Sequence, residues 1–315
     1  MLFTISTYKT LSISSGVAMS KEENVKAVEE RRKQMFEEFE KLKSRMGKIK
    51  HKVAVISGKG GVGKSTITAN LAVAFAMHGH TNSVGILDAD IHGPSIPKIL
   101  GLTGQRLQIG PPGVFPVFGS LGIRVVSMDF LLPDEDAPII WRGPLKITAI
   151  RQFLSDIVWG ELDILFIDLP PGTGDEPLSI AQLLPEMDGV IIVTIPSEVS
   201  QVVVKKAATF AKRLGMPIIG VVENMSGFLC PRCGAKIDIF QSGGGKRMAD
   251  ELSIPFLGSI PIDQKISQAS DKGIPFIVED PNSPASKAFM EIVEKVEAYL
   301  KSREGEDEKK HGHKR

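Results

Sequence analysis

The chain is predicted to be an α/β protein, a doubly wound and mostly parallel sheet flanked by helices. Two patterns predict it. Apolar runs such as Ile164-Leu165-Phe166-Ile167 and Val190-Ile191-Ile192-Val193 lack the alternation of a half-exposed strand, so both faces of each must be covered. Helical stretches separate many of these runs, and parallel strands need crossovers of that kind. At 315 residues with 42% hydrophobic content, one main domain with appended ends is expected, since single cores stop growing near about 250–300 residues.

In chain order, Asn24 to Met46 spaces Val25, Val28, Met35, Phe36, Phe39 and Leu42 at helical intervals among Glu, Lys and Arg. This predicts an amphipathic helix leading into the core, with residues 1–50 forming an N-terminal arm and helix. Met19 opens the ordinary segment Met-Ser-Lys-Glu-Glu, so translation is expected to start there, an ordered arm over 1–18 being the alternative. The main domain, 51–300, opens with a buried strand at Lys52 to Ser57, a glycine loop and a helix over Ser65 to His78. Further strands are expected at Ser83 to Asp88, Ile123 to Ser127, Ile164 to Asp168, Gly189 to Thr194 and Pro217 to Glu223. Helices are expected near Leu145 to Trp159, Leu178 to Leu184 and Ser200 to Leu214. Gly101 to Gly122, broken by Pro111, Pro112, Gly113 and Pro116, interrupts the alternation and suits a short hairpin or an excursion. From Arg303 there is no large apolar residue, so 301–315 is expected to be a disordered charged tail. His311 and His313 there fit either a metal site or a solvated tail.

Charge excludes several function classes. With 38 basic and 37 acidic residues, the formal charge of +1 gives no global attraction for nucleic acid or anionic membrane. No apolar run approaches the roughly 18–20 residues of a membrane span, and the first 18 residues do not resemble a secretory signal. Both cysteines lie in one Cys-x-x-Cys, which rules out a disulfide scaffold. A cytosolic protein is expected.

Gly58-Lys59-Gly60-Gly61-Val62-Gly63-Lys64-Ser65, followed by Thr66, fits G-x-x-x-x-G-K-S/T between a buried strand and a helix. Glycines let successive backbone N–H groups face phosphate oxygens. Lys64 would lie on the β and γ phosphates, and Ser65 would offer its hydroxyl to Mg²⁺ where the helix dipole favours the anion. The chain therefore reads as a P-loop nucleoside triphosphatase using ATP. A second lysine, Lys59, follows the first glycine. With it the loop is a deviant Walker A sequence and resembles the dimeric ATPases that include MinD, ParA and the nitrogenase iron protein. The resemblance implies that Lys59 reaches across a dimer to the partner's nucleotide; a cation there would stabilise the leaving phosphate as an arginine finger does.

Asp88 and Asp90, in Leu87-Asp88-Ala89-Asp90, follow a strand at its carboxyl end, where ligands bind in open sheets. In the resembling families an acid of this loop orients the attacking water. Position favours Asp90, with Asp88 supporting it; a helix cap by Asp90 or Ser95 is the plainer alternative. Asp168 ends the strand Ile164 to Asp168 and looks like the Walker B acid, holding Mg²⁺ through water. Gly172, in the following Pro170-Pro171-Gly172-Thr173-Gly174-Asp175 loop, would let an N–H approach the γ-phosphate and make the loop a nucleotide-state switch. Asp175 fits a supporting role or an exposed loop acid equally. Asn224, ending another strand, would bond the adenine edge, with Pro261 of Ile260-Pro261-Ile262-Asp263 beside it in the resembling family.

Cys230-Pro231-Arg232-Cys233 can hold a metal between two thiolates, and Pro231 and Gly234 suit a metal knuckle better than a redox helix. Zn²⁺ and a 4Fe-4S cluster usually want four protein ligands, so a closed all-thiolate site needs two chains. A homodimer is expected on that arithmetic. The loop with Lys59, Asp88-Ala89-Asp90-Ile91-His92-Gly93-Pro94-Ser95, Asp168 to Asp175 and the late cysteine pair together resemble the Mrp/ApbC iron–sulfur cluster carrier ATPases, from about Lys52 to Ala298. This implies a dimer that holds a 4Fe-4S cluster between two Cys230–Cys233 pairs and passes it to apo iron–sulfur proteins. Zinc is the rival metal. A spatial-organising ATPase of the MinD and ParA kind is the alternative function, but Ser286 to Leu300 carries Glu291, Glu294 and Glu297 where a membrane organiser needs a basic amphipathic helix.

Overall fold

Helix α1 (Lys21–Met46) leads into strand β1 (Ile49–Ile56), followed by α2 (Lys64–Met77), β2 (Val84–Asp88) and the short α3 (Ile96–Ile99). A hairpin of β3 (Gln108–Gly110) and β4 (Gly113–Phe115) precedes β5 (Val117–Phe118) and β6 (Arg124–Ser127). The alternation resumes with β7 (Leu162–Asp168), α4 (Asp175–Leu183), β8 (Gly189–Thr194), α5 (Glu198–Arg213) and β9 (Ile218–Glu223). A second hairpin, β10 (Phe228–Leu229) and β11 (Lys236–Ile237), comes next. Then follow α6 (Gly244–Leu252), β12 (Phe256–Ser259), α7 (Gln264–Lys272), α8 (Phe276–Glu279) and α9 (Pro284–Gly312). This computed structural model describes residues 21–90, 93–131, 151, 154–184, 186–229, 233, 235–237 and 242–312. The expectations for residues 1–18 and for most of Leu145 to Trp159 lie outside them.

Eight strands form one sheet in the order β12-β9-β8-β1-β7-β2-β6-β5. Every pairing in it is parallel except β5 with β6 at the edge. Successive residues of β1 enter opposite layers, as the two-residue period of a strand requires. Val53 and Val55 join Phe75, Phe289 and Val293 on one face. Ala54 and Ile56 join Leu42, Met46, Phe210 and Met248 on the other. The doubly wound expectation holds, and Gly101 to Gly122 contains the hairpin expected of it.

One expectation needs correction. Arg303 onward is not disordered up to Gly312, because α9 continues to that residue. Phe289, Ile292, Val293, Val296 and Leu300 bury its first half, and an established helix adds a bond for each further residue. Glu304 then ties the later turns to Lys50 at 2.9 Å and His51 at 2.6 Å. Among the described side chains of α1, the apolar ones that dock lie in its last turns. Leu42 and Met46 are buried, while Met35, Phe36 and Phe39 are 52%, 65% and 46% exposed.

Candidate functional site

The central strands β1, β7 and β2 are neighbours, so their carboxyl ends gather the phosphate loop and both acids at one edge. Asp88 and Asp168 stand opposite each other in register, and Ala89 N–H donates to Asp168 O at 3.0 Å. The loop enters α2 through Gly63, whose φ of 78° lies in the left-handed region. A Cβ on Gly63 would also meet Asn224 Nδ2 at 2.3 Å, so sterics as well as torsion demand glycine. Nothing lies within 4 Å of a Cβ built on Gly60 or Gly61, which leaves that side of the loop open as a cradle.

Asp168, fully buried, organises the cation end. Its Oδ2 lies 2.6 Å from Lys64 Nζ and accepts Ser65 Oγ–H at 2.6 Å, while Oδ1 accepts Thr68 Oγ1–H at 2.7 Å. Lys64 is itself buried, and its ammonium forms this ion pair without an aligned hydrogen bond among the described residues. Its donors therefore remain available to phosphate oxygens, which is the fit a nucleotide requires. Ser65 and Asp168 offer adjacent hard oxygens of the kind Mg²⁺ takes.

Asp88 is 1% exposed. Burial first, and then the nearby Asp168, push its carboxyl well above the usual carboxylate range, while Lys64 opposes them. Its oxygens accept Asp90 N–H, Ile96 N–H and Ser127 Oγ–H at 3.2–3.3 Å, so it fixes the loop after β2. Asp90 is half-buried and accepts Gly93 N–H at 3.3 Å. Ser95 caps α3 by position but without a side-chain hydrogen bond. The half-buried Lys59 makes no ion pair with another described residue; its carbonyl accepts Ser57 Oγ–H. Gly172, expected to let a backbone N–H approach the γ-phosphate, donates its own N–H to Ser57 O at 2.9 Å. Approach to phosphate would break that bond, so the loop has a defined second partner. Asp175 is the first residue of α4.

Asn224 Nδ2 donates to Val62 O at 2.9 Å, joining the end of β9 to the phosphate loop and leaving its carboxamide oxygen for a base. Beside it, Ile260 N–H donates to Glu223 O, placing half-buried Pro261 next to the same strand end. The cysteine segment leaves from here. β10 and β11 pair antiparallel, and exposed Cys233 lies in the turn between them. Cys230 is outside the described residues. Among those described, no three His, Cys, Asp or Glu side chains converge as a metal site.

Three polar residues of this edge went unread in the sequence. Thr68 sits one turn beyond Ser65 on the same helix face, and that spacing was a usable signal. Ser127 bonds Asp88 only through strand pairing. Glu223, buried beside Asn224, bonds residues up to twenty-two positions away.

Residues 48–297 match the ParA family model described as NUBPL iron-transfer P-loop NTPase. An iron-sulfur cluster carrier protein of Methanocaldococcus jannaschii is 54% identical over 84% of this chain and 90% of its own. One from Saccharolobus solfataricus is also 54% identical, over 81% and 86%. Among solved structures, a nucleotide-binding protein of Archaeoglobus fulgidus in complex with ADP is 42% identical over 80% of this chain and 96% of its own, with a TM-score of 0.70. The MinD cell division protein of Aquifex aeolicus shares the fold at 21% identity over 79% of this chain and 97% of its own, with a TM-score of 0.57.

Proposed function

The chain belongs to the NUBPL iron-transfer P-loop NTPases, and we propose from this that it is an ATP-dependent iron–sulfur cluster carrier, holding a 4Fe-4S cluster as cargo between two copies and delivering it to apo iron–sulfur proteins. The observation that carries the reading is the shared origin of its two sites. The hairpin presenting exposed Cys233 leaves the end of β9, where Asn224 also touches the phosphate loop. A carrier needs that proximity, because nucleotide state must reach the cargo site.

In this reading Lys64 binds the β and γ phosphates, and the loop N–H groups from Gly58 to Thr66 cradle them. Ser65 would hold Mg²⁺, and Asp168 would do so through water; the ion would supply positive charge against that developing on the departing ADP. Asp90 orients the attacking water, supported by Asp88, and Lys59 reaches the partner's nucleotide in a homodimer. Asn224 and Pro261 receive the base. Cys230 and Cys233 supply two thiolates per copy, so four thiolates require two copies. No helix of the described residues is long and apolar enough to cross a membrane.

Anaerobic reconstitution with iron and sulfide tests the proposal. About four iron atoms per dimer and a thiolate-to-iron absorption band are expected for one cluster. One tightly held zinc per dimer, with no reconstitutable iron, would replace the cargo site by a structural clip.

A further inference from the structure

Two adjacent side chains at the end of β9 bond in opposite directions. Asn224 reaches back to the phosphate loop through Val62 O. Glu223, 0% exposed, turns toward the cysteine segment. Its Oε1 accepts Ser226 Oγ–H at 2.5 Å and Gly243 N–H at 3.0 Å, and its Oε2 accepts Gly245 N–H. Ser226 stands where the chain leaves for the β10–β11 hairpin, and Gly243 stands where it returns. One carboxylate thus holds both feet of the hairpin.

The arrangement is built rather than incidental. Among the described residues no cation pairs with Glu223, so these three donors and the positive end of α6 stabilise its charge. Gly245 permits the approach, since a Cβ there would stand 3.0 Å from Glu223 Cβ and Oε2 and 3.1 Å from Thr194 Cγ2. β9 itself is held between β8 and β12, so a shift of its last peptide passes to the loops more readily than into the sheet.

We propose that Glu223 is a positioning residue that couples the nucleotide site to the cysteine hairpin. A nucleotide that draws Asn224 from Val62 O moves the peptide shared with Glu223, and Glu223 carries the movement to Ser226 and Gly243 together. The inference rests on the carrier reading. Coupling between two sites is reciprocal, so cluster loading must change nucleotide affinity by the factor by which nucleotide changes cluster affinity.

Glu223→Gln removes the link with little change of shape. Glutamine keeps one acceptor oxygen and sets its NH₂ group either against Gly245 N–H or against Gly243 N–H, so at least one bond to the returning segment is lost. The full chain, prepared anaerobically, is titrated with a non-hydrolysable ATP analogue with and without reconstituted cluster. Cluster loss to an iron chelator is followed with and without the analogue. In the wild type, loading shifts analogue affinity by about 5-fold or more, and in Glu223→Gln by less than about 2-fold, with unloaded affinity and iron content unchanged. A general structural role would lower affinity and iron content instead and leave the ratio intact. Should Glu223→Gln not fold, Ser226→Ala releases only the outgoing foot and is compared in the same way. A wild type without coupling, or a variant that couples as the wild type does, overturns the inference while the carrier reading stands. A wild type that takes up no cluster removes both.

Discussion

At the scale of single residues, the site is a contest for one buried carboxylate. Asp168 gathers Lys64, Ser65 and Thr68, so the phosphate loop is ordered around an anion before phosphate arrives. Lys64→Ala is expected to weaken ATP binding at least about 100-fold, the loss of two charged hydrogen bonds. Because it also strands buried Asp168, stability should fall by about 3 kcal/mol. Calorimetric titration and thermal unfolding separate the two effects, and unchanged ATP affinity would refute the loop assignment. Lys59 and Asp90 make no such internal ion pairs among the described residues. Lys59→Ala should keep ATP affinity but lose about 10³-fold in turnover, and Asp90→Asn about 10²-fold; steady-state hydrolysis checks each, and wild-type turnover removes the role. The loop and Asp168 were legible in the sequence because their chemistry lies within eight-residue patterns. Ser127 and Glu223 were not, since the partner of the one lies on another strand and those of the other in the turn after β9 and at the start of α6, brought together only by folding; Thr68 left only the local signal of its spacing from Ser65.

At the scale of elements, the strands were legible where both faces are buried and less so where packing is local. β8 was expected at its observed limits, Gly189–Thr194, because six apolar or small residues must be covered on both sides. β12, four residues at the sheet edge, carries too little apolar length to announce itself. α9 was cut short for a related reason: beyond Leu300 the sequence has no large apolar residue, and Glu304 is tied to Lys50 and His51 instead. Nearer its middle stands Glu297, whose side chain is 11% exposed and whose Oε1 lies 3.0 Å from both His78 Nδ1 and His80 Nε2. Burial raises this carboxyl, but hydrogen bonds from His78, Lys301 and His80 together outweigh it and lower it from 4.5 to about 2. A depressed folded value means stability that is present above about pH 4.5 and is lost as pH falls toward about 2. Glu297→Gln should therefore lower Tm at pH 7 by roughly 2–4 °C, about 1 kcal/mol after solvent screening. Its Tm should also fall less steeply than the wild type's between pH 4.5 and 2. Parallel Tm–pH curves for the two proteins would show that α9 is held otherwise.

At the scale of the molecule, the decisive quantity is the number of thiolates. The chain has two cysteines, and no metal site of three or more ligands converges among the described residues. Enclosing a four-thiolate centre, as the carrier reading requires, needs a second chain. Either Cys230→Ser or Cys233→Ser should then abolish cluster retention and transfer together, since three thiolates or fewer per centre hold it poorly. The phosphate loop runs from β1 into α2 and takes no residue from the hairpin, so ATP affinity of the unloaded protein should survive in both variants. Cluster-linked dimerisation should weaken in proportion to the binding energy lost, because a ligand shared by two chains stabilises the dimer by mass action. Sedimentation of the reconstituted wild type should show a dimer that the chelator-stripped protein populates less. A monomer carrying a full cluster on Cys230 and Cys233 alone would overturn the bridging arrangement, whatever the fate of the ATPase.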